Sequence, residues 1–288
     1  MKLPALDYAS PQSIDEVIRL LVERQDAKIL SGGQSLIPML AFRLASCGLL
    51  VDLKRVPGLD QIAIDEAGVE IGAKVTWRQL ERDQRLREAH PLVSAALPHI
   101  AHYQIRNRGT VGGSLAHADP AAELPALAVA CDAHIVAVGR QGSRTIPARE
   151  FFLSPLVTAL EPEEMIIALR LPPWPAGRRY GFEEFAMRRG DFALAGAIVF
   201  FDQDEHGGIR NPHVGAFGVS DTPVRLPGAE AVLAGAVPDE PTFARAATAA
   251  VEGLQARSDI HADADYRKAL LRLLIKRALQ AAINRAGR

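Results

Sequence analysis

Two short turns built on paired glycines, Ser31-Gly32-Gly33-Gln34-Ser35 and Thr110-Val111-Gly112-Gly113-Ser114, constrain this chain more than any other feature. They stand about eighty residues apart, and apolar residues at helical spacing follow each of them. Glycine admits φ > 0 and lets the backbone approach a ligand with no side chain in the way. A helix that follows aims its first N–H groups at the same spot, which suits an anion. Ser35 adds a hydroxyl donor, and the second turn repeats the arrangement, so the pair suits a pyrophosphate with its two charged groups. Each turn alone is also what an ordinary tight turn uses. Neither fits G-x-G-x-x-G or G-x-x-x-x-G-K-[ST], so Rossmann and P-loop readings have no motif here.

Composition narrows the field further. The 288 residues are enough for about two domains, and 48% hydrophobic with 23% charged residues is globular. A net charge of -1 and 6% aromatics argue against a chain that grips nucleic acid. Cys47 and Cys131 are too few and too far apart for an iron–sulfur cluster or a disulfide scaffold, and read as buried free thiols. No uncharged apolar stretch approaches the roughly 20 residues that span a bilayer, and a cytoplasmic location is expected. His99, His102 and His117 are spaced too loosely to be read as metal ligands, and no metal is expected.

The pattern along the chain predicts mixed order. Ser13 and Glu16 form a capping box before the helical run IDEVIRLLVE; AKIL enters the first glycine turn; LIPMLAFRLA reads as a helix and LLVDL as a buried strand. QIAID and VEIGAKV read as a hairpin, and Thr76 with Gln79 caps a helix running to about Ala89. A further helix, bent near Pro98, reaches His102, and another follows the second turn's polar loop. AHIVAVG and EEMIIALRLP read as strands. LPPWPAG at 171–177, with three prolines and a glycine in seven residues, marks a domain boundary. FALAGAIVFFD and PHVGAFGV then pair around the turn His206-Gly207-Gly208, and helices follow from about Pro241. The fold class is α+β, without the strict alternation of a doubly wound sheet.

SGGQSLIPMLAFRL, LVDLKRVPGL and QIRNRGTVGGSLAHADPAAELPAL, with RRGDFALAG and RSDIHADADYRKALL further on, resemble the FAD-binding medium subunit of the molybdenum hydroxylases, the carbon monoxide dehydrogenase and xanthine dehydrogenase type. The likeness runs nearly end to end. It implies a two-part FAD-binding domain of the vanillyl-alcohol-oxidase type over 1–175, with subdomains at about 1–56 and 57–175. A smaller C-terminal domain of antiparallel sheet and helices would cover 176–288. The cofactor would be FAD held non-covalently, with Ile29, Leu30, Ser31, Gly32, Gly33, Gln34, Ser35 and Leu36 on one side of its pyrophosphate. Thr110, Gly112, Gly113 and Ser114 would hold the other side. His117 would lie near the phosphates or flavin, and Glu123 would accept from ribose hydroxyls. Ile100 would pack by the adenine and Phe192 by the isoalloxazine, the latter equally readable as core.

Other charged residues keep two readings. Arg106 and Arg108 are either solvated or braces for the second turn. Asp119 before Pro120 reads as a turn former. Arg267, Lys268, Arg272, Lys276 and Arg277 form a solvated helix face or a partner site. The resemblance implies an electron-transfer subunit that works with a large molybdopterin subunit and a small iron–sulfur subunit, as a dimer of heterotrimers. Electrons would come from the partner's clusters and leave through FAD to an external acceptor; no catalytic side chain is nominated. A stand-alone FAD-dependent oxidase or reductase is the alternative, but the residues after 175 are few and helical for a substrate domain. A bare nucleotide-binding module would leave the matched flanks without a reason.

Overall fold

The computed structural model describes residues 2–285; Met1 and the last three positions of the expected 176–288 domain lie outside the described residues. The chain opens with β1 (Asp7–Ala9) and α1 (Ile14–Glu23). Ser13 Oγ accepts the Glu16 amide at 3.2 Å, but the Glu16 carboxylate reaches the Gln12 amide at 2.8 Å, so the expected capping box is only half made. Val17, Ile18 and Leu21 bury one face of α1 against the strands that follow. These are β2 (Ala27–Leu30) and, after α2 (Leu36–Ala41), β3 (Leu49–Asp52); the parallel sheet runs β1-β3-β2. The α2 helix is shorter than LIPMLAFRLA suggests. Arg43 turns left-handed (φ 62), and its guanidinium takes the Leu40 carbonyl at 2.8 Å, closing the helix end.

The hairpin β4 (Ile62–Asp65) and β5 (Gly68–Gly72) follows. Thr76 and Gln79 complete the capping box of α3 (Trp77–Arg82). The single helix expected to Ala89 is two, because Asp83 stops α3 and its carboxylate caps α4 (Gln84–Ala89) at the Arg85 amide, 2.9 Å. Next come α5 (Pro91–Ala96), ending in a 3₁₀ turn over Leu97–His99 at the expected bend, and α6 (Tyr103–Arg106). The second glycine turn opens α7 (Val111–His117), and α8 (Glu123–Ala130) follows. Then β6 (His134–Gly139), β7 (Gly142–Pro147), α9 (Ala148–Phe151), β8 (Phe152–Ser154), β9 (Val157–Thr158) and β10 (Met165–Leu171) complete the first part. The five-stranded sheet runs β4-β5-β10-β6-β7. Its centre is β10, whose near-continuous apolar run suits a strand paired on both edges.

A four-stranded antiparallel sheet follows, with β11 (Arg179–Ala186), β12 (Ala193–Gln203), β13 (Ile209–Phe217) and β14 (Val224–Arg225) in that order. The turn at His206-Gly207-Gly208 joins β12 to β13 as expected, with Asp204 Oδ1 accepting both the His206 and Gly208 amides. The chain closes with α10 (Pro227–Leu233), α11 (Glu240–Ala249) and α12 (Ala264–Asn284). Buried Leu271, Leu274, Ile275, Ala278 and Leu279 recur at helical spacing and seat α12 on this sheet. Gly181 allows the approach, since a Cβ there would meet the Ala278 backbone. The proline-rich stretch at 171–177 packs in the seam: the Trp174 ring lies 4.6 Å from His90 and 5.2 Å from Phe200. From Leu124 to Ala130, α8 is buried all round and packs on β12 and β13, joining the two halves of the chain. Cys131 is buried as expected, whereas Cys47 is only half-buried.

Candidate functional site

The two glycine turns meet. Ser31 Oγ lies 3.0 Å from Thr110 Oγ1. A Cβ on Gly32 would run into the Arg108 carbonyl, and one on Gly112 would lie 2.6 Å from the Ala73 Cβ. Both glycines are therefore demanded by backbone approach, and Gly33 by its φ of +71°. Together they border a cleft of about 1070 Å3, above the usual range for a drug-sized ligand and large enough for a dinucleotide.

The turns are not equivalent. Among the described residues, the N–H groups of Gly32, Gly33, Gln34 and Ser35 have no hydrogen-bond partner. Those of Val111 and Gly112 donate to the Val75 and Ala73 carbonyls, each at 2.9 Å, and the Gly113 amide donates to Thr110 Oγ1 at 3.2 Å. The first turn thus offers a nest of free donors, while the second, already satisfied, offers hydroxyls and close packing.

All sixteen residues expected from the sequence line this one cleft. Ile29, Leu30, Ser31, Gly32, Gly33, Gln34, Ser35 and Leu36 form one wall, with the Gln34 amide folded back on the Gly32 carbonyl at 3.1 Å. Thr110, Gly112, Gly113, Ser114 and His117 face them. Burial lowers the His117 pKa from its ordinary value, against the pull of Asp119. Glu123 opens α8, and burial, with the charge of Asp119, pushes its carboxyl up to about 7. Asp119 is a turn former, its Oδ1 accepting the Ala121 amide at 2.8 Å, and it lines the cleft as well. Phe192 is 70% exposed at the rim beside Met187, so it is not core.

Ile100 stands in a wall whose shape Arg106 holds. That guanidinium is half-buried and donates to the Ile100 and Ala101 carbonyls at 2.9 and 2.8 Å, with Glu81 2.8 Å from its Nε. Ala101 is left-handed (φ 45), which costs a non-glycine residue about 1–2 kcal/mol. Arg106 therefore braces this wall rather than the second turn, and Arg108 is exposed. Of the three histidines, His99 faces Glu184, while His102, packed under Gly190, and His117 both line the cleft.

Sequence reasoning missed the far end of the cleft. Arg257, Asp259, His261 and Arg267 line it. Arg267 is 2% exposed, so it does not belong to the solvated face of α12. Both ends of its fork are used, with Asp259 at 2.7 Å and the Leu194 and Gly218 carbonyls at 2.7 and 2.6 Å. Burial works against ionised Asp259, yet the His261 and Ala262 amides and Arg267 hold its pKa at about 2. An arginine at an otherwise apolar helix position was the available signal.

The family described as "FAD binding domain in molybdopterin dehydrogenase" matches residues 4–174, and "CO dehydrogenase flavoprotein C-terminal domain" matches 180–282. The chain is 40% identical to subunit alpha of the 6-hydroxypseudooxynicotine dehydrogenase complex of Paenarthrobacter nicotinovorans, covering 99% of this chain and 97% of that one. It is also 40% identical to the nicotine 6-hydroxylase medium subunit of the same organism, covering 97% and 98%. Among solved structures it is similar to a carbon monoxide dehydrogenase from Hydrogenophaga pseudoflava, with a TM-score of 0.95, 37% identity and 99% of both chains covered.

Proposed function

The chain belongs to the family of FAD-binding medium subunits of the molybdenum hydroxylases, and from that membership we propose how its cleft is used. FAD lies along it, held non-covalently, and when bound supplies the electron-transfer chemistry. The free N–H nest of Gly32 to Ser35 is the observation that carries this reading: four donors at the cleft wall without partners among the described residues suit an anion, and a pyrophosphate fits them. Thr110 and Ser114 close the opposite side with hydroxyls, Thr110 meeting Ser31 of the first wall, backed by Gly112 and Gly113, and His117 stands beside them. Leu30 and Leu36 pack at the ends of the nest. Glu123 accepts from the ribose, Ile100 packs by the adenine, and Phe192 covers the isoalloxazine edge.

As an oxidoreductase subunit, the chain passes electrons from the iron–sulfur clusters of a small partner subunit through FAD to an external acceptor. A large partner subunit carries the molybdopterin and oxidises the organic substrate, and the whole assembles as a dimer of heterotrimers. The relatives' description as subunits of complexes supports the partnership. Two free thiols, with no described helix long and apolar enough to cross a membrane, support a cytoplasmic location. In this reading the domains divide at 175/176 and the first subdivides near 56, in step with the change from one sheet to the next.

The test is to purify the chain with and without its partner subunits. Acid should release FAD from the yellow protein, and anaerobic flavin bleaching by candidate N-heterocycles, aldehydes or carbon monoxide should need the assembled complex. Rapid bleaching of the isolated chain by an organic substrate would overturn the subunit role, and flavin retained on the acid precipitate would overturn non-covalent binding.

A further inference from the structure

Ile100, Ala101 and His102 form a bend between the 3₁₀ turn over Leu97–His99 and α6, and all three line the cleft. Among the described residues no backbone N–H donates to the Ile100 or Ala101 carbonyl. A single nitrogen of Arg106, Nη1, donates to both, at 2.9 and 2.8 Å. Arg106 itself does not line the cleft, and neither does Glu81, whose Oε1 stands 2.8 Å from the Arg106 Nε. The other Glu81 oxygen takes Arg78 at 3.3 Å, and Arg78 lies over the Tyr103 ring at 5.2 Å, so α3 and α6 grip the brace between them. The bend needs one, because the left-handed Ala101 (φ 45) is disfavoured by about five- to thirtyfold for a non-glycine residue.

A turn from the other half of the chain rests on this bend. Gly190, between β11 and β12, is left-handed too (φ 87). A Cβ there would stand 2.5 Å from His102 Nδ1 and 3.0 Å from the Ala101 carbonyl oxygen, so only bare backbone fits the seat. Phe192, two residues on, is exposed at the cleft rim.

We propose that Arg106 is a positioning residue of the FAD site: by holding the Ile100 and Ala101 carbonyls it fixes the cleft wall at Ile100 and the seat on which the Gly190 turn places Phe192. The proposal rests on the reading of this cleft as the FAD site. Arg106 acts through the backbone at Ala101 and touches no ligand. Without its guanidinium the bend relaxes toward ordinary φ, and FAD binding must restore the left-handed form. Glycine at position 101 takes that form without a brace, so it makes Arg106 less necessary.

FAD titration of the apoprotein by flavin fluorescence, with iodide quenching of the bound flavin, tests this on the parent, R106M, A101G, R106M/A101G and G190A. R106M should weaken FAD binding about five- to thirtyfold, the cost of the bend, and open the flavin to iodide. The same replacement in the A101G background should cause a loss at least about threefold smaller, as coupled sites do. G190A, which keeps Arg106 and lifts the turn from its seat, should also raise iodide access. A merely structural arginine would lower the melting temperature of R106M but leave affinity and quenching alone, or cost as much with glycine at 101; either result overturns the proposal. If R106M fails to fold, R106K, which keeps the charge without the fork, and E81Q carry the same comparison. Unchanged affinity in both overturns the proposal, and a loss that A101G reduces supports it. A parent chain that binds no FAD refutes the cofactor reading itself.

Discussion

Glycine positions in the two turns differ in what they tolerate. Gly112 is wedged against Ala73, whose Cβ and carbonyl oxygen would stand 2.6 and 2.9 Å from an added methyl. Gly113 faces only the Thr110 hydroxyl, at 2.8 Å, in a helical conformation. Gly112→Ala should therefore cost about 1–3 kcal/mol through overpacking, push the second turn away from the first, and weaken FAD binding. Gly113→Ala should be milder, because alanine recovers up to about 1 kcal/mol of helix propensity against a disturbed cap. Thermal melts and FAD titrations of the pair check this order; equal effects would show that the packing against Ala73 is not what Gly112 serves.

At the scale of elements, Thr110 does two jobs with one hydroxyl. It caps α7 by accepting the Gly113 amide, and it joins the first turn through Ser31. The backbone helps: Trp77 N donates to the Gly109 carbonyl at 3.1 Å, and Val111 N to Val75 at 2.9 Å, so α3 and α7 start from one anchored strand-like bridge. Thr110→Val keeps the shape and removes the cap, which is worth about 1 kcal/mol. The expected outcome is a stability loss of that size in urea titration with a larger proportional loss of FAD affinity, while Thr110→Ser retains most of both. A Val variant that binds FAD as tightly as the parent would remove the hydroxyl from the account of the site.

Across the whole molecule, Arg267 ties separate segments to the cleft. It holds the start of β12 at Leu194, the end of β13 at Gly218, and the loop at Asp259. The Gly218 amide in turn donates to the Pro120 carbonyl at 2.8 Å, linking the last sheet to the polar loop that carries Asp119 and Glu123. Replacing it with methionine leaves two buried carbonyls without their donor, while Asp259 keeps Arg257 and the His261 and Ala262 amides, and unsatisfied buried acceptors cost about 1–3 kcal/mol. Urea denaturation of Arg267→Met should show that loss, and Arg267→Lys, which keeps the charge without the fork, should fall between. A methionine variant of unchanged stability would refute this role.

Much of this was legible along the chain, because the signals were local. Turn glycines, the Thr76 cap, the bend at Pro98 and the apolar run of β10 each depend on residues within a few positions. The sixteen residues that line the cleft were named from a family likeness carried by contiguous segments, the glycine turns and their flanks foremost. The misses have a shared cause. Asp83 split a helix by capping its neighbour, β11 hid its strand period behind Glu183 and Glu184, and Arg267 looked like one more surface cation. That the amides of Gly112 and Gly113 are already bonded while those of Gly32 to Ser35 are free depends on where Ala73, Val75 and Thr110 come to lie. Partners and burial are set by contacts between residues distant in the chain. Periodicity reports which face a residue occupies, but only the packed fold decides what meets that face and which charges lose their water.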